Sequence, residues 1–123
     1  ACLPLLAQAP AGVVVFALDD AERSAGAFWG GYGLAQSAQA TLVGMLQAEL
    51  GTRGPRVSGL RPGPMRTGLR ARAYQPNNDL QARPPVEYAA ACVDMLGHAG
   101  AAQRGRIVEP APCAARHARR RRR

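Results

Sequence analysis

The stretch "AGVVVFALDD" (Ala11–Asp20) decides how the rest of the chain is read. Val13–Leu18 is its longest strongly apolar run, β-branched at the start and without alternation between polar and apolar residues. That pattern marks a strand buried on both faces, as in a parallel sheet covered by helices. Parallel neighbours must be reached by crossover connections, so helices are expected on both sides of the run.

The flanking sequence meets that demand. Upstream, "LPLLAQ" reads as the end of an apolar helix, closed by Pro10. Downstream, "ERSAGAFWGG" reads as a small-residue loop leading into a helix from about Tyr32 to Leu50, with Leu42, Met45, Leu46 and Leu50 as its apolar face. Gly51 suits the C-cap of that helix. "RVSGLRPG" is a second, less apolar strand ending in a Pro-Gly turn, and the segment from Pro64 to Pro85 reads as a long polar, mobile connection. Pro84 and Pro85 open a helix to about Leu96 with a stripe of Val86, Ala89, Val93 and Leu96, and Gly97 ends it. "GRIVEP" is a last short strand. The order strand, helix, strand, helix, strand, with strands near 13–18, 56–61 and 105–109, predicts an α/β fold with a parallel sheet.

Composition narrows the function classes. The 123 residues suffice for one small core, and no run is long enough to span a bilayer. The formal net charge is +8, but residues 1–113 contribute only +2 and "AARHARRRRR" contributes the rest. Basicity is a property of the tail. All 16 basic residues are arginine, which looks like coding bias in GC-rich DNA. Cys2, Cys92 and Cys113 have no CxxC spacing, so neither a zinc site nor a disulfide framework is expected, and free thiols in a reducing cytosol fit. His98 and His117 have no ligand-like company. The chain opens on Ala1 without a signal peptide, which suggests a processed or partial chain.

Three features carry a resemblance. "GGYGLAQ" opens the long helix, "LRPGPMRTGL" follows the second strand, and "GRIVEP" lies near the end. In that order they resemble the C-terminal half of the short-chain dehydrogenase/reductase family, over roughly Leu3 to Pro110. Tryptophan shortly before the tyrosine and an Arg-Ala-rich loop after the threonine are similar to a bacterial subgroup. The resemblance implies the second half of a doubly wound, Rossmann-like parallel sheet and a nicotinamide cofactor, NAD(P). It places Tyr32 at the family's general acid/base. It places Pro62, Gly63, Met65 and Thr67 in the loop that holds the nicotinamide carboxamide. The family's lysine falls on Gln36 and its serine on Asp19.

Both replacements have consequences. A phenol of ordinary pKa about 10 leaves roughly a thousandth ionised at neutral pH. A cation four residues on would favour the phenolate; a neutral amide cannot, and the chain has no lysine. An ionised Asp19 accepts hydrogen bonds but donates none, and close to Tyr32 it would oppose ionisation of the phenol. Neither GxxxGxG nor GxGxxG occurs, so the turn that seats a dinucleotide pyrophosphate is missing from these residues.

The expectation is a partial short-chain dehydrogenase/reductase-like domain over residues 1–112, cytoplasmic, with a degraded catalytic set and weak or no activity alone. Residues 113–123 are expected to be a disordered Arg-rich tail. The alternative is a non-catalytic pseudo-enzyme module that forms a homodimer through helix 32–50, or nucleic-acid binding by the tail. The tail lacks aromatic interleaving and reads better as translation past a natural stop. Val13–Leu18 would lie at an unpaired sheet edge, predicting marginal stability or association.

Overall fold

The β-branched run after Gly12 forms β1 (Val13–Ala17) and "RVSGL" forms β2 (Arg56–Leu60). The computed structural model describes residues 2–73 and 82–110. Within them β1, β2 and β3 (Ile107–Val108) make a parallel sheet in the order β1-β2-β3. Val13 pairs with Arg56 and Ala17 with Leu60, while Gly59 and Leu60 pair with Ile107 and Val108. The tail, Cys113 and His117 lie outside the described residues.

β2 is the central strand, and each of its five residues is buried. β1 is only half-buried, with Ala17 exposed. The expected burial on both faces is therefore not met. The sequence pattern reports what a strand is suited to, whereas among the described residues β1 has a strand neighbour on one side alone.

Helices α1 (Leu3–Gln8), α3 (Gly30–Leu50) and α5 (Ala89–Leu96) appear where the sequence places them. α5 is preceded by a 3₁₀ turn over Pro85–Tyr88, because prolines favour a helical start but offer no N–H to the first turns. Two expected loops contain helices instead. α2 (Ala21–Ser24) interrupts the loop before α3, capped by Asp20, whose Oδ1 accepts from the N–H groups of Glu22 (3.0 Å) and Arg23 (3.2 Å). α4 (Gly68–Ala73) occupies part of the connection after β2, and the Thr67 hydroxyl oxygen accepts from the Arg70 N–H at its start (3.1 Å). Residues 74–81 of that connection lie outside the described residues.

The helix faces differ from expectation. In α3 the buried residues are Gly33, Val43 and Gln47, while Leu42 and Met45 are exposed. In α5 and its 3₁₀ turn, Tyr88, Ala91 and Met95 are buried, and Val86, Val93 and Leu96 are exposed. Both helices carry apolar residues on more than one face, so the sheet's position chooses which is covered. α3 lies on the Val57 and Gly59 side of β2: a Cβ at Gly59 would meet Val43 at 3.4 Å and Ile107 and Leu18 at 2.9 Å each. α5 lies on the other side, where Leu60, Ala91 and Met95 cluster, with Val15 and Val108 packed against them. The result is a three-layer helix, sheet, helix stack.

Candidate functional site

The carboxyl ends of β1 and β2 open into a cleft of about 540 Å³. All seven residues singled out from the sequence line it: Asp19, Tyr32 and Gln36 on one side, and Pro62, Gly63, Met65 and Thr67 on the other. Their meeting follows from topology. β1 and β2 end side by side, so the residues following each strand face the same space, and α3 starts above them.

Asp19 is the hub. Its Oδ2 accepts from the Tyr32 phenol at 2.8 Å, and its Oδ1 accepts from the Asp20 N–H at 2.7 Å. Its own N–H donates to Gln36 Oε1 at 2.9 Å, and its carbonyl accepts from Arg61 Nε at 2.9 Å. Arg61 also pairs with Glu109 beyond β3, bracing the ends of all three strands. Tyr32 and Gln36 thus reach the same residue from one face of α3, as a spacing of four dictates.

Trp29 packs on Tyr32, with ring centroids 5.5 Å apart. The start of α3 approaches α2 so closely that a Cβ at Gly33 would stand 1.9 Å from the Ser24 carbonyl oxygen. On the opposite wall, Gly63 has φ 88°, a left-handed conformation that favours glycine, and a Cβ there would sit 3.3 Å from the Tyr88 hydroxyl. Met65 and Arg83 form a parallel bridge that anchors this loop. Tyr88 is buried beneath it; desolvation, and secondarily the charge of Glu87, push its phenol above the ordinary value, while Arg83 pulls it down.

Sequence reasoning gave Arg61 and α4 no role. Arg61 holds the hub's carbonyl, and α4 supplies Leu69, Arg70 and Ala73 to the cleft wall. The signal for α4 was the N-capping threonine before "GLRARA". Nothing local marks Arg61, because its partners are 42 and 48 residues away. Among the described residues no cluster of metal-ligating side chains occurs, and no helix is long and apolar enough to cross a membrane. Cys2 and Cys92 are free and exposed.

An open parallel α/β sheet with a ligand-sized crevice at the carboxyl ends of its strands is the plan of the doubly wound, Rossmann-like proteins. Among solved structures, the fold is similar to that of short-chain dehydrogenases. A short-chain dehydrogenase from Salmonella enterica serovar Typhi superposes with a TM-score of 0.78 at 27% identity, over 87% of this chain and 44% of that one. An oxidoreductase from Escherichia coli gives 0.77 at 26%, over 87% and 43%. A Shigella flexneri protein described as a short-chain dehydrogenase, solved with NADP, gives 0.77 at 26%, over 87% and 44%. The chain spans less than half the length of each. No family model matches the chain, and no curated protein does. The resemblance to short-chain dehydrogenase/reductases drawn from the sequence therefore holds in the three-dimensional fold.

Proposed function

We propose that this chain is part of an NAD(P)-dependent short-chain oxidoreductase with a degraded catalytic set, weak or inactive alone, acting in the cytoplasm. The observation that carries the reading is the 2.8 Å hydrogen bond from the Tyr32 phenol to Asp19. It directs the one retained acid/base proton at a carboxylate. A substrate carbonyl at this position would compete with Asp19 for that proton, and Asp19 has none of its own to donate when ionised. Gln36 supplies no charge, and its Oε1 already accepts from the Asp19 N–H.

The residues of the opposite wall fit a nicotinamide. Pro62, Gly63, Met65 and Thr67 would hold it, with Thr67 free to donate its hydroxyl proton while its oxygen accepts from Arg70. When bound, that cofactor supplies the hydride. The absence of a glycine-rich pyrophosphate turn in these residues implies weak binding by this chain alone.

The test is titration with NADPH, followed by Trp29 fluorescence and by reduction of a panel of small carbonyl compounds. Unaltered chain should bind weakly and turn over negligibly, and the Asp19→Ser, Gln36→Lys double variant should gain activity that Tyr32→Phe abolishes. Robust turnover by the unaltered chain, unaffected by Tyr32→Phe, would overturn the reading.

A second reading, a homodimer through α3, draws support from the exposed Leu34 (75%), Leu42 (41%) and Met45 (57%) on that helix. These residues recur at spacings of eight and three, so they share one face. Sedimentation of the Leu34→Glu, Met45→Glu variant tests it: a dimer should become monomeric.

A further inference from the structure

We propose that the chain carries a second binding site, for a small organic phosphate, in the cleft at the amino ends of β1 and β2. This cleft, about 420 Å³, is bounded by the α1–β1 turn, by the α3–β2 loop over Thr52–Pro55 and by Arg104. Arg53, Arg56 and Arg104 are among its lining residues, and among the described residues no Asp or Glu is.

Arg56 is the strongest element. It is only 7% exposed, and its Nη2 donates to the Met95 carbonyl (2.6 Å) and the Gly97 carbonyl (3.0 Å) at the end of α5. Its Nε is buried with no acceptor among the described residues. Among the described residues no carboxylate pairs with it, so a full charge is held beside the cleft against neutral dipoles. Burying a charge without a counter-ion is costly, and an anion in the adjacent cleft would offset part of that cost.

Arg104 is fixed in advance. Its Nη1 reaches the carbonyls of Gly51 (3.2 Å), Gly54 (3.2 Å) and Pro55 (3.4 Å), leaving the rest of its fork for other acceptors. A guanidinium already held in place loses little freedom when an oxyanion arrives. Arg53 stands exposed at the mouth beside Thr52. Paired oxygens on a tetrahedral anion match such forks bidentately. The remaining wall, with Leu6, Pro10 and Val13, is apolar and accommodates an organic body on the phosphate.

The test uses the whole chain and inorganic phosphate, then glycerol phosphate, titrated at constant ionic strength against chloride. Backbone amide and arginine Nε–H resonances report position. Saturable shifts of Thr52, Arg53, Gly54 and the Arg56 Nε–H are expected, with tighter binding of glycerol phosphate. Arg53→Gln should weaken binding at least about five-fold, the size expected for one charge-assisted contact. Replacing Arg119–Arg123 by glutamine should leave these shifts intact. Shifts that stay linear with concentration, that are confined to the tail, or that Arg53→Gln leaves unchanged would each overturn the proposal.

Discussion

At the carboxyl ends of β1 and β2 the chain presents a phenol bonded to a carboxylate; at the amino ends of the same two strands the cleft is lined by three arginines and, among the described residues, by no carboxylate. The sheet between them is one continuous ladder, from Val13 opposite Arg56 to Ala17 opposite Leu60. The difference is made by the residues at the two ends of the strands, by the first turns of α3 and by the connections between them. At the carboxyl ends the polar groups satisfy one another, Asp19 accepting from Tyr32 while donating its N–H to Gln36. At the amino ends the cations lean on backbone carbonyls, which hold them without cancelling their charge. A closed polar network resists ligands that cannot replace it; a set of cations on neutral supports invites an anion.

The comparison can be broken most severely at Gly33. A Cβ there would overlap the Ser24 carbonyl, so Gly33→Ala should separate α2 from α3 and destabilise the protein by about 3 kcal/mol. Urea unfolding gives the magnitude. Trp29 fluorescence should change while resonances of Thr52–Gly54 stay in place, showing that the damage is confined to the carboxyl end.

Gln47→Leu is the counterpart at the amino end. Gln47 Oε1 accepts from the buried Val57 N–H (2.7 Å) and its Nε2 donates to the Gly51 carbonyl (2.9 Å). Leaving that N–H unpaired should cost about 2 kcal/mol, read by the same denaturation, and should loosen the arginine cleft before the tyrosine cleft.

The next effect is a pH dependence under the Gly63 loop. Burial raises the folded-state value of Tyr88 above its ordinary 10.0, so the unfolded chain gives up that proton at a lower pH. The stability contributed by the neutral phenol is therefore intact below the ordinary value and lost as pH climbs through the raised one. Unfolding free energies measured from pH 8 to 11 should fall at the alkaline end, and Tyr88→Phe should remove part of that fall. The smallest effect is expected in β2, where the Ser58 hydroxyl is buried with no partner among the described residues. Ser58→Ala should be neutral or stabilising by up to about 1 kcal/mol, checked by thermal melting.

Strand placement was legible because apolar runs such as Val13–Leu18 have few alternatives, and Pro-Gly punctuation fixed where β2 ends. The seven cleft residues were legible through the ordered motifs, which the topology then brings together. Helix faces were not. Val43 is buried while its neighbour Leu42, which the sequence pattern puts on the apolar face, is 41% exposed. The arginine cleft was equally hidden, since Arg53, Arg56 and Arg104 come from two distant segments and look like ordinary members of an Arg-rich chain.

The side chain of Gln47 has one further consequence. It grips the last carbonyl of α3's cap with its amide nitrogen and the second residue of β2 with its oxygen, so both ends of the connection over residues 51–55 are tied to a single group. Arg104 spans the same five residues from outside. Surface connections ordinarily absorb inserted residues at little cost. This one should not: lengthening or shortening it by even one residue would force Gln47 to release one end. Divergence here should proceed by exchange of side chains at constant length.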